Sequence, residues 1–414
     1  MPVIVDIALT HLLGRKRQSL VSIGGVALGV GFFIAIAALM QGFQRDFVRR
    51  IVDTSPHIVI RDDFRKPSPQ PVDSEFRDAA VLLQGQKPRD ERRGIRNARA
   101  KLTDLVERPD MAIAPVLSGQ IFLRYGAKDV SASLIGIEPD RERKVTKLES
   151  DMIAGSLDDL ERTANGIILG AGVARKLGAS MGDTLTATSP AGVILSVKIV
   201  GLFRTGIVAV DDSETYVLLK KAQILQDRPN VINAIRIRLA DYRVADLVAQ
   251  TLEVRYGYRS VSWQEANEGV LGIFVIQNGI MYSTTGAILV VACFGIFNII
   301  STVVFEKARD IAILKSLGFT RADIRNIFML EGLAVGLLGS LLGWAVGLGL
   351  TEILASIQFD VRGMVEIQGF VLYRAAEPYV AAAVAAIASS TVAAWLPARR
   401  AARLNPVDIV RSAV

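Results

Sequence analysis

The sequence predicts a membrane protein with four transmembrane helices and one large extracytoplasmic α+β domain between the first and second helices. Hydrophobic residues make up 51% of the 414 residues. Four runs are apolar enough to cross a bilayer, which takes about 20 residues of helix. A stretch of mixed composition, 45–268, separates the first run from the second. Basic residues collect on one side of the four runs, as they do at the cytoplasmic face of a membrane.

These observations divide the whole chain into segments. The predicted segments are an interfacial amphipathic helix at 1–18, TM1 at 19–44, the periplasmic α+β domain at 45–268, TM2 with a periplasmic extension at 269–304, a charged cytoplasmic hairpin at 305–331, TM3 at 332–351, a short periplasmic loop at 352–377, TM4 at 378–398 and a cytoplasmic tail at 399–414.

The amino-terminal segment is apolar up to Leu13 except for Asp6, Thr10 and His11, and it turns basic at Arg15. Such a pattern predicts a helix that lies along the membrane surface. The second apolar run, Gly269–Phe305, contains no Asp, Glu, Lys or Arg. As a helix it would be about 55 Å long, longer than the bilayer core of about 30 Å. We expect it to project beyond the membrane on the side of the domain.

The large domain shows both strand and helix patterns. Alternating or β-rich runs predict strands, and runs of helical period predict helices. The strands are predicted at 57–60, 119–124, 130–135, 194–200 and 234–239, and the helices at 172–177 and 242–255. The part 65–108 is rich in charge and Pro, which is typical of either an exposed helical insertion or a partly disordered segment.

The hairpin 305–331 carries the clearest local signals. Glu306–Leu317 has good helix formers and no Pro, so TM2 is expected to run on to Gly318, which can adopt the left-handed conformation that ends a helix. Thr320 and Asp323 resemble a capping box for the next helix. Charged and apolar residues are mixed around Glu306–Leu317, which favours contact with another protein. An ordinary cytoplasmic loop is the alternative.

Glycines recur within the spans at intervals of three or four residues. Such spacing lets helices approach closely. The glycines are Gly25, Gly29, Gly332, Gly336, Gly339, Gly343 and Gly347. Four helices make a small bundle, so we expect a second subunit in the membrane.

Several kinds of chemistry have no sequence support. The chain has no G-x-x-x-x-G-K-[ST] motif, no H-E-x-x-H motif, two histidines and one cysteine, Cys293. The net charge of +7 is explained by basic residues beside the spans, so nucleic-acid binding is not expected. We expect a non-catalytic chain without cofactor or metal. Three classes remain open: a permease driven by a separate ATPase, a receptor or mechanical relay, and a passive anchor.

Two stretches resemble a known family. The hairpin Glu306–Gly318 (EKARDIAILKSLG) with 324–332 (IRNIFMLEG), and the end 395–407 (WLPARRAARLNPV), resemble the carboxy-terminal half of type VII (MacB-like) ABC-transporter permeases. These include macrolide-efflux, cell-division and lipoprotein-releasing permeases. The lipoprotein-releasing (Lol-type) subgroup is the most similar. The residues that carry this likeness are Gly29-Val30, Met40-Gln-Gly42-Phe43-Gln, Ser55-Pro56-His57-Ile58, Gly166–Gly170, Leu177-Gly178, Gly182-Asp183 and Ser189-Pro190-Ala191-Gly192.

The resemblance implies a multi-pass protein of the bacterial inner membrane with its domain in the periplasm. It implies two copies of an ABC ATPase subunit that bind ATP and Mg, and a second permease subunit in a homodimer or heterodimer. The implied function is ATP-driven extraction of lipoproteins, or similar acylated substrates, from the outer leaflet for transfer to a periplasmic carrier chaperone. An efflux permease for amphiphiles or peptides, and a transmembrane relay that controls a periplasmic enzyme, are the alternatives.

The resemblance also assigns site residues. The second span would act as a lever from the ATPase, and the first two spans would enclose a cavity for acyl chains. The stretch after Pro190 is short before Ile199-Val200-Gly201, a departure from permeases with a protruding carrier-binding hook. The assigned residues are Glu306, Lys307, Arg309, Asp310, Ile311, Leu314, Lys315, Leu317 and Gly318 for ATPase coupling, Met40 and Phe43 for the substrate cavity, and Pro190, Ala191 and Gly192 for a carrier-binding loop.

Overall fold

A computed structural model describes residues 2–14, 16–62, 94–357, 360–362 and 366–404. Most of the predicted insertion 65–108 and the tail beyond residue 404 lie outside the described residues. The chain divides into two compact units. The membrane unit comprises Met1–Asp46, Gly272–Asp360 and Gln368–Val414, and the domain unit comprises Phe47–Leu271 with Val361–Ile367.

The described helices and strands follow in chain order. The helices are α1 (Pro2–Gly14), α2 (Lys16–Thr54), α3 (Ala98–Val106), α4 (Pro139–Val145), α5 (Leu157–Arg162), α6 (Ala171–Leu177), α7 (Val208–Asp211), α8 (Leu219–Leu225), α9 (Ala245–Tyr256), α10 (Trp263–Ala266), α11 (Glu268–Glu306), α12 (Ala308–Ser316), α13 (Arg321–Ser356) and α14 (Glu377–Arg403). The strands are β1 (Ile58–Arg61), β2 (Met111–Tyr125), β3 (Lys128–Ile137), β4 (Met152–Gly155), β5 (Gly166–Gly170), β6 (Thr184–Thr188), β7 (Ile194–Phe203), β8 (Glu214–Leu218), β9 (Ala234–Leu239), β10 (Arg259–Ser262), β11 (Asp360–Arg362) and β12 (Glu366–Gln368).

Four described helices, α2, α11, α13 and α14, are long and apolar enough to cross a membrane, which confirms the predicted fold class. Helices α2 and α11 have 39 residues each, or about 58 Å, so both extend well beyond a bilayer core of about 30 Å. In α1, Ile4, Ile7 and Ala8 pack against the hydrophobic core of the membrane unit.

The prediction that the second span continues as one helix to Gly318 is wrong. Helix α11 ends at Glu306, and Lys307 (φ −96°, ψ 11°) separates it from α12. The turn brings Ile311 and Ala312 of α12 into the interior of the membrane unit, where both are buried. Burial of apolar area outweighs the good helix propensity of residues 306–308, because propensity differences are only tenths of a kcal/mol per residue.

The glycine spacing in α13 marks close helix contacts, as predicted. Three glycines lie against α2, where an added Cβ would come within 3 Å of a Val or Ile Cβ: Gly339 against Val26, Gly343 against Val30 and Gly347 against Ile34. Gly332 and Gly336 lie against Ser390 and Ala394 of α14. In α2, Gly29 is close to Ile288 of α11, whereas Gly25 has nothing within 4 Å.

The domain unit is built on a ten-stranded mixed sheet, in the order β10-β1-β9-β2-β3-β8-β5-β7-β4, with β6 pairing with both β2 and β7. The pairs β3/β8 and β5/β7 are parallel, and the other pairs are antiparallel. All five predicted strands are present as parts of β1, β2, β3, β7 and β9, and the two predicted helices correspond to α6 and to a 3₁₀ turn (Tyr242–Val244) followed by α9. Helices α6 and α8 cover one hydrophobic core of this sheet.

Candidate functional site: a coupling surface and its connections

Helix α12 and its flanking turns form a well-defined corner between α11 and α13. Gly318 has φ +100°, and its N–H and that of Phe319 donate to carbonyl groups of α12, so the predicted helix end is confirmed. The capping box is also present: Thr320 Oγ1 accepts the Asp323 N–H at 3.2 Å, and the Asp323 carboxylate accepts the Thr320 N–H at 2.9 Å. This hydrogen bonding lowers the pKa of Asp323. These hydrogen bonds define where α12 ends and where α13 begins.

Helix α12 has one face in the core and one face exposed. Ile311 is 2% exposed, and Leu314 is half-buried against the same core. The exposed face carries Ile313, 51% exposed, and Leu317, 73% exposed. Since these two residues are four apart, they lie side by side on the helix surface. The exposed apolar surface that another protein could cover is thus Ile313 with Leu317.

The charged residues assigned to coupling divide in the same way. Glu306, Arg309 and Asp310 are exposed, and Lys307 forms an ion pair with Asp310 at 2.7 Å. Lys315 instead turns inward and donates to the carbonyl oxygens of Ala402 and Leu404 at 2.7 and 2.6 Å.

These carbonyl groups belong to the end of α14, where a cation satisfies oxygen atoms that have no partner within the helix. Burial, with Arg321 nearby, lowers the pKa of Lys315. Lys315 thus connects the hairpin to the end of α14.

Ile313 is the residue of this surface that sequence reasoning missed. Ile311, Ile313, Leu314 and Leu317 are all large and apolar, so composition cannot separate the buried from the exposed positions. The helical period would have grouped Ile313 with Leu317. It could not say which group faces the core.

The two predicted cavity residues lie in the outer part of α2, and each has a partner within the chain. Met40 is half-buried and packs against the core of the membrane unit. Phe43 makes an edge-to-face contact with Phe274 of α11, with ring centroids 6.0 Å apart. Beside it, Gln44 Nε2 donates to Asn278 Oδ1 at 3.2 Å. The first and second membrane helices thus meet at the position that the sequence assigns to the cavity.

Pro190, Ala191 and Gly192 form the exposed turn of the β6–β7 hairpin. Gly192 has φ +83°, and its N–H donates to Ser189 O at 2.9 Å. The tight turn agrees with the shortness of this stretch in the sequence. Two exposed apolar residues lie nearby in one row across the sheet, because Phe122 pairs with Thr188 and Thr188 pairs with Ile194. Sequence reasoning missed both residues. Phe122 belongs to β2, which lies far from this hairpin in the chain, and Ile194 stands out only once Phe122 is placed beside it.

Within the domain unit, His57 and Trp263 attach the chain that enters from α2 and the chain that leaves to α11. His57 Nδ1 accepts the Leu239 N–H at 3.1 Å, and Nε2 lies 3.2 Å from Val52 O in α2. Burial, aided by the charge of Arg238, lowers the pKa of His57. The backbone N–H of Trp263 donates to His57 O at 2.9 Å. Trp263 lies five residues before the start of α11. Within the domain unit, β1 and β10 thus lie side by side in the sheet.

Two ionisable sites occur inside the domain unit. Glu142 and Arg236 form a buried ion pair at 2.6 Å. Burial raises the pKa of Asp151 to about 6, with Asp211 and Asp53 adding to the effect and Lys147 opposing it. No group of three or more His, Cys, Asp or Glu residues with metal-binding geometry occurs among the residues that the structure describes.

Comparisons with known proteins cover nearly the whole chain. Residues 19–254 match the family described as MacB-like periplasmic core domain, and residues 282–406 match the family described as FtsX-like permease C-terminal.

Individual relatives match over long stretches. The lipoprotein-releasing system transmembrane protein LolC of Neisseria meningitidis serogroup B is 30% identical over 82% of this chain and 82% of that protein. LolC of Xylella fastidiosa (strain Temecula1) is 29% identical over 99% of both chains. The macrolide export ATP-binding/permease protein MacB of Hyphomonas neptunium is 23% identical over 99% of this chain and 60% of that protein.

Proposed function

We propose that this chain extracts lipoproteins from the bacterial inner membrane. The chain belongs to the family of ABC-transporter permeases with a MacB-like periplasmic core domain and an FtsX-like carboxy-terminal part. Family membership implies an ABC ATPase partner. The chain lies in the inner membrane, with its large domain in the periplasm. In the proposed function, lipoproteins or similar acylated substrates leave the outer leaflet of that membrane and pass to a periplasmic carrier.

The observation that carries the proposal is the higher identity to the lipoprotein-releasing relatives, 29–30% against 23% for the macrolide export protein. With the Xylella protein the match covers 99% of both chains, so it includes the membrane helices, the hairpin and the domain together. A match limited to the carboxy-terminal half would favour no particular cargo, because efflux and cell-division permeases share that half.

In the proposed mechanism this chain performs no chemical step. Two ATPase subunits bind ATP and Mg, and each contacts a permease subunit through α12. The exposed side chains of Ile313 and Leu317 enter a groove of the ATPase, and Glu306, Arg309 and Asp310 contact its rim. Movement of α12 then reaches the periplasm through α11. A helix of this length fits the role, because its internal hydrogen bonds let it transmit displacement without bending sharply.

The proposed path of the cargo begins between α2 and α11. Met40 and Phe43 lie beside the contact of these helices, where acyl chains would leave the lipid. A second permease subunit, identical or related, supplies the other half of the path. The β6–β7 turn, with Phe122 and Ile194 beside it, offers an exposed apolar surface for a periplasmic carrier.

One observation favours a second function, efflux of amphiphiles or peptides. The match to a macrolide export protein also spans 99% of this chain, at 23% identity. It covers 60% of that protein, whose name includes an ATP-binding part. Both proposed functions use the same coupling surface of this chain, and the cargo distinguishes them.

Depletion of this chain tests the cargo. We expect lipoproteins of the outer membrane to accumulate in the inner membrane, which fractionation of the two membranes followed by mass spectrometry measures. Wild-type chain supplied in trans should restore sorting, and an Ile313→Asp, Leu317→Asp chain that inserts normally should not. Unchanged sorting together with increased sensitivity to amphiphilic drugs would reject lipoprotein release and favour efflux.

A further inference from the structure

A segment of the short periplasmic loop lies directly across the outer part of α2. The Tyr373 N–H donates to Ala38 O at 2.9 Å. One turn further along α2, Gly42 makes room for the crossing backbone. A Cβ at Gly42 would lie 2.0 Å from Val371 O and 2.8 Å from Tyr373 N. Glycine is therefore required at position 42, within the stretch Met40-Gln-Gly42-Phe43-Gln that carries part of the family resemblance.

Side chains hold the same segment on both sides. Toward α2, the Arg45 guanidinium lies 3.5 Å above the ring of Tyr373, and it pairs with Glu377 at 3.5 Å. Toward α13, Arg374 pairs with Glu352 at 3.1 Å. Exposed ion pairs contribute little individually. The backbone hydrogen bond and the fit at Gly42 therefore determine where the segment lies.

The outer parts of α13 and α14 are joined by a further contact. Trp344 Nε1 of α13 donates to Tyr379 O of α14 at 3.0 Å, and the two rings meet edge to face. We call residues 371–377 the outer clamp. This segment crosses α2 in space and leads in the chain to the start of α14. Together with the glycines of α13 that pack on α2, the outer clamp ties α2, α13 and α14 to one another.

Helix α11 has the smallest buried share of the four long described helices. In the most apolar stretch of each helix, 22% is buried in α11, 33% in each of α13 and α14, and 56% in α2. Gly272, Gly279 and Gly286 of α11 have nothing within 4 Å, in contrast to the five glycines of α13 that contact a neighbouring helix. The contacts of α11 with α2 given above are the Phe43–Phe274 pair, the Gln44–Asn278 hydrogen bond and the approach of Gly29 to Ile288. The inner part of α11 is packed, with Ile296, Ile300, Val303 and Val304 buried in the core of the membrane unit. The outer part of α11, around Phe274 and Asn278, is therefore the part that we consider free to separate from α2.

We propose that the outer clamp makes α2, α13 and α14 move as one body, and that α11 is the helix that moves against this body during the ATPase cycle. Gly42, Ala38 and Tyr373 act as positioning residues, because they hold the loop on α2 and touch no cargo in this role. The proposal rests on the ATP-driven part of the proposed function and is independent of the cargo.

Photo-crosslinking from two aromatic positions tests the proposal in the complex purified with its ATPase. Tyr373→benzoylphenylalanine reports contact of the outer clamp with α2, and Phe274→benzoylphenylalanine reports contact of α11 with α2. Crosslinks to α2 are quantified by mass spectrometry without nucleotide and after trapping with ATP and vanadate. We expect the yield from position 373 to stay the same in both states and the yield from position 274 to fall severalfold on trapping.

A fall at position 373, or an unchanged yield at position 274, would overturn the proposal. Neither readout depends on what is transported. If the crosslinks behave as expected while lipoprotein sorting is unaffected by depletion, the proposed cargo is rejected. The proposal that α2, α13 and α14 move as one body is then retained.

A matched pair of glycine substitutions tests whether Gly42 positions the outer clamp on α2. Gly42→Ala places a methyl group against the loop backbone, which is expected to reduce the crosslink yield from position 373 roughly tenfold. Gly25→Ala adds the same methyl group to the same helix in open space and should leave that yield unchanged. The yield from position 274 serves as the folding control for both variants. A Gly42→Ala chain that keeps the full yield from position 373 would overturn the role of Gly42.

Discussion

Replacing Ile313 or Leu317 with Ala removes apolar surface that is exposed in this chain and that the proposed ATPase contact would bury. Fully burying such a side chain is worth about 1.5–3 kcal/mol. Half of Ile313 and about three quarters of Leu317 remain to be buried. The expected losses of binding free energy are therefore about 1 kcal/mol for Ile313→Ala and about 1.5 kcal/mol for Leu317→Ala. The sum of the two losses is about 2.5 kcal/mol, or roughly 70-fold in Kd. Because the two residues are neighbours, the loss measured for the double variant differs from this sum by their coupling energy.

Ile311→Ala is the matched control, since it truncates the same residue type on the same helix two positions away. Ile311 is buried in the membrane unit, so this change is expected to lower the free energy of unfolding by about 2–5 kcal/mol. It removes no surface from the exposed face of α12. The three variants thus separate binding from folding.

The assay has two measurements on chains reconstituted in nanodiscs. Titration with the ATPase subunit gives Kd, and thermal unfolding of the permease alone gives Tm. Ile313→Ala and Leu317→Ala should raise Kd and leave Tm unchanged, whereas Ile311→Ala should lower Tm. Wild-type affinity of the double variant, with normal ATP-driven activity, would refute the assignment of this face to coupling.

Two further predictions concern stability. Gly343→Ala should destabilise the membrane unit by about 1–3 kcal/mol, because its Cβ would lie 2.5 Å from Val30 Cβ. Thermal unfolding measures this loss, and Gly349→Ala on the same helix, with nothing within 4 Å, should show none; equal losses would contradict the packing. The pKa of Asp151 is raised from its ordinary value of 3.8 to about 6, so the folded domain favours the protonated carboxyl group. The resulting contribution to the free energy of unfolding is fully present below pH 3.8 and is lost as the pH rises through about 6. Asp151→Asn should therefore raise the stability of the domain by roughly 1 kcal/mol at about pH 7.5, after allowance for its partial exposure, and by little at about pH 4; an equal gain at both pH values would exclude burial of this charge as the cause.

The membrane helices and the start of α13 could be predicted because their signals are local. An apolar run long enough to span a bilayer is rarely stable when exposed to water, so its place in the membrane can be read from composition. The Thr320–Asp323 capping box is contained within four residues. The glycines of α13 were also informative, since a helix presents residues three and four apart on one face. The glycine spacing did not reveal that this face meets two partners, with Gly339–Gly347 on α2 and Gly332 on α14.

The end of the second span was mispredicted because residues 306–308 are acceptable helix formers. The turn at Lys307 depends on the burial of Ile311 and Ala312 against other helices, which no local pattern records. Lys315 is a similar case. Its charge suits a docking surface and equally suits the carbonyl groups at the end of α14, and only the fold brings those carbonyl groups near.

The sequence by itself determined the membrane topology, the α+β domain and the family, because hydropathy, local capping and motif order do not require knowledge of distant contacts. The tertiary structure decided which side of α12 is free, which strands place Phe122 beside Ile194, and what Gly42 accommodates. Each of these depends on segments far apart in the chain, such as Gly42 and the backbone of Val371–Tyr373. Their contact is a consequence of tertiary packing, which no local pattern records.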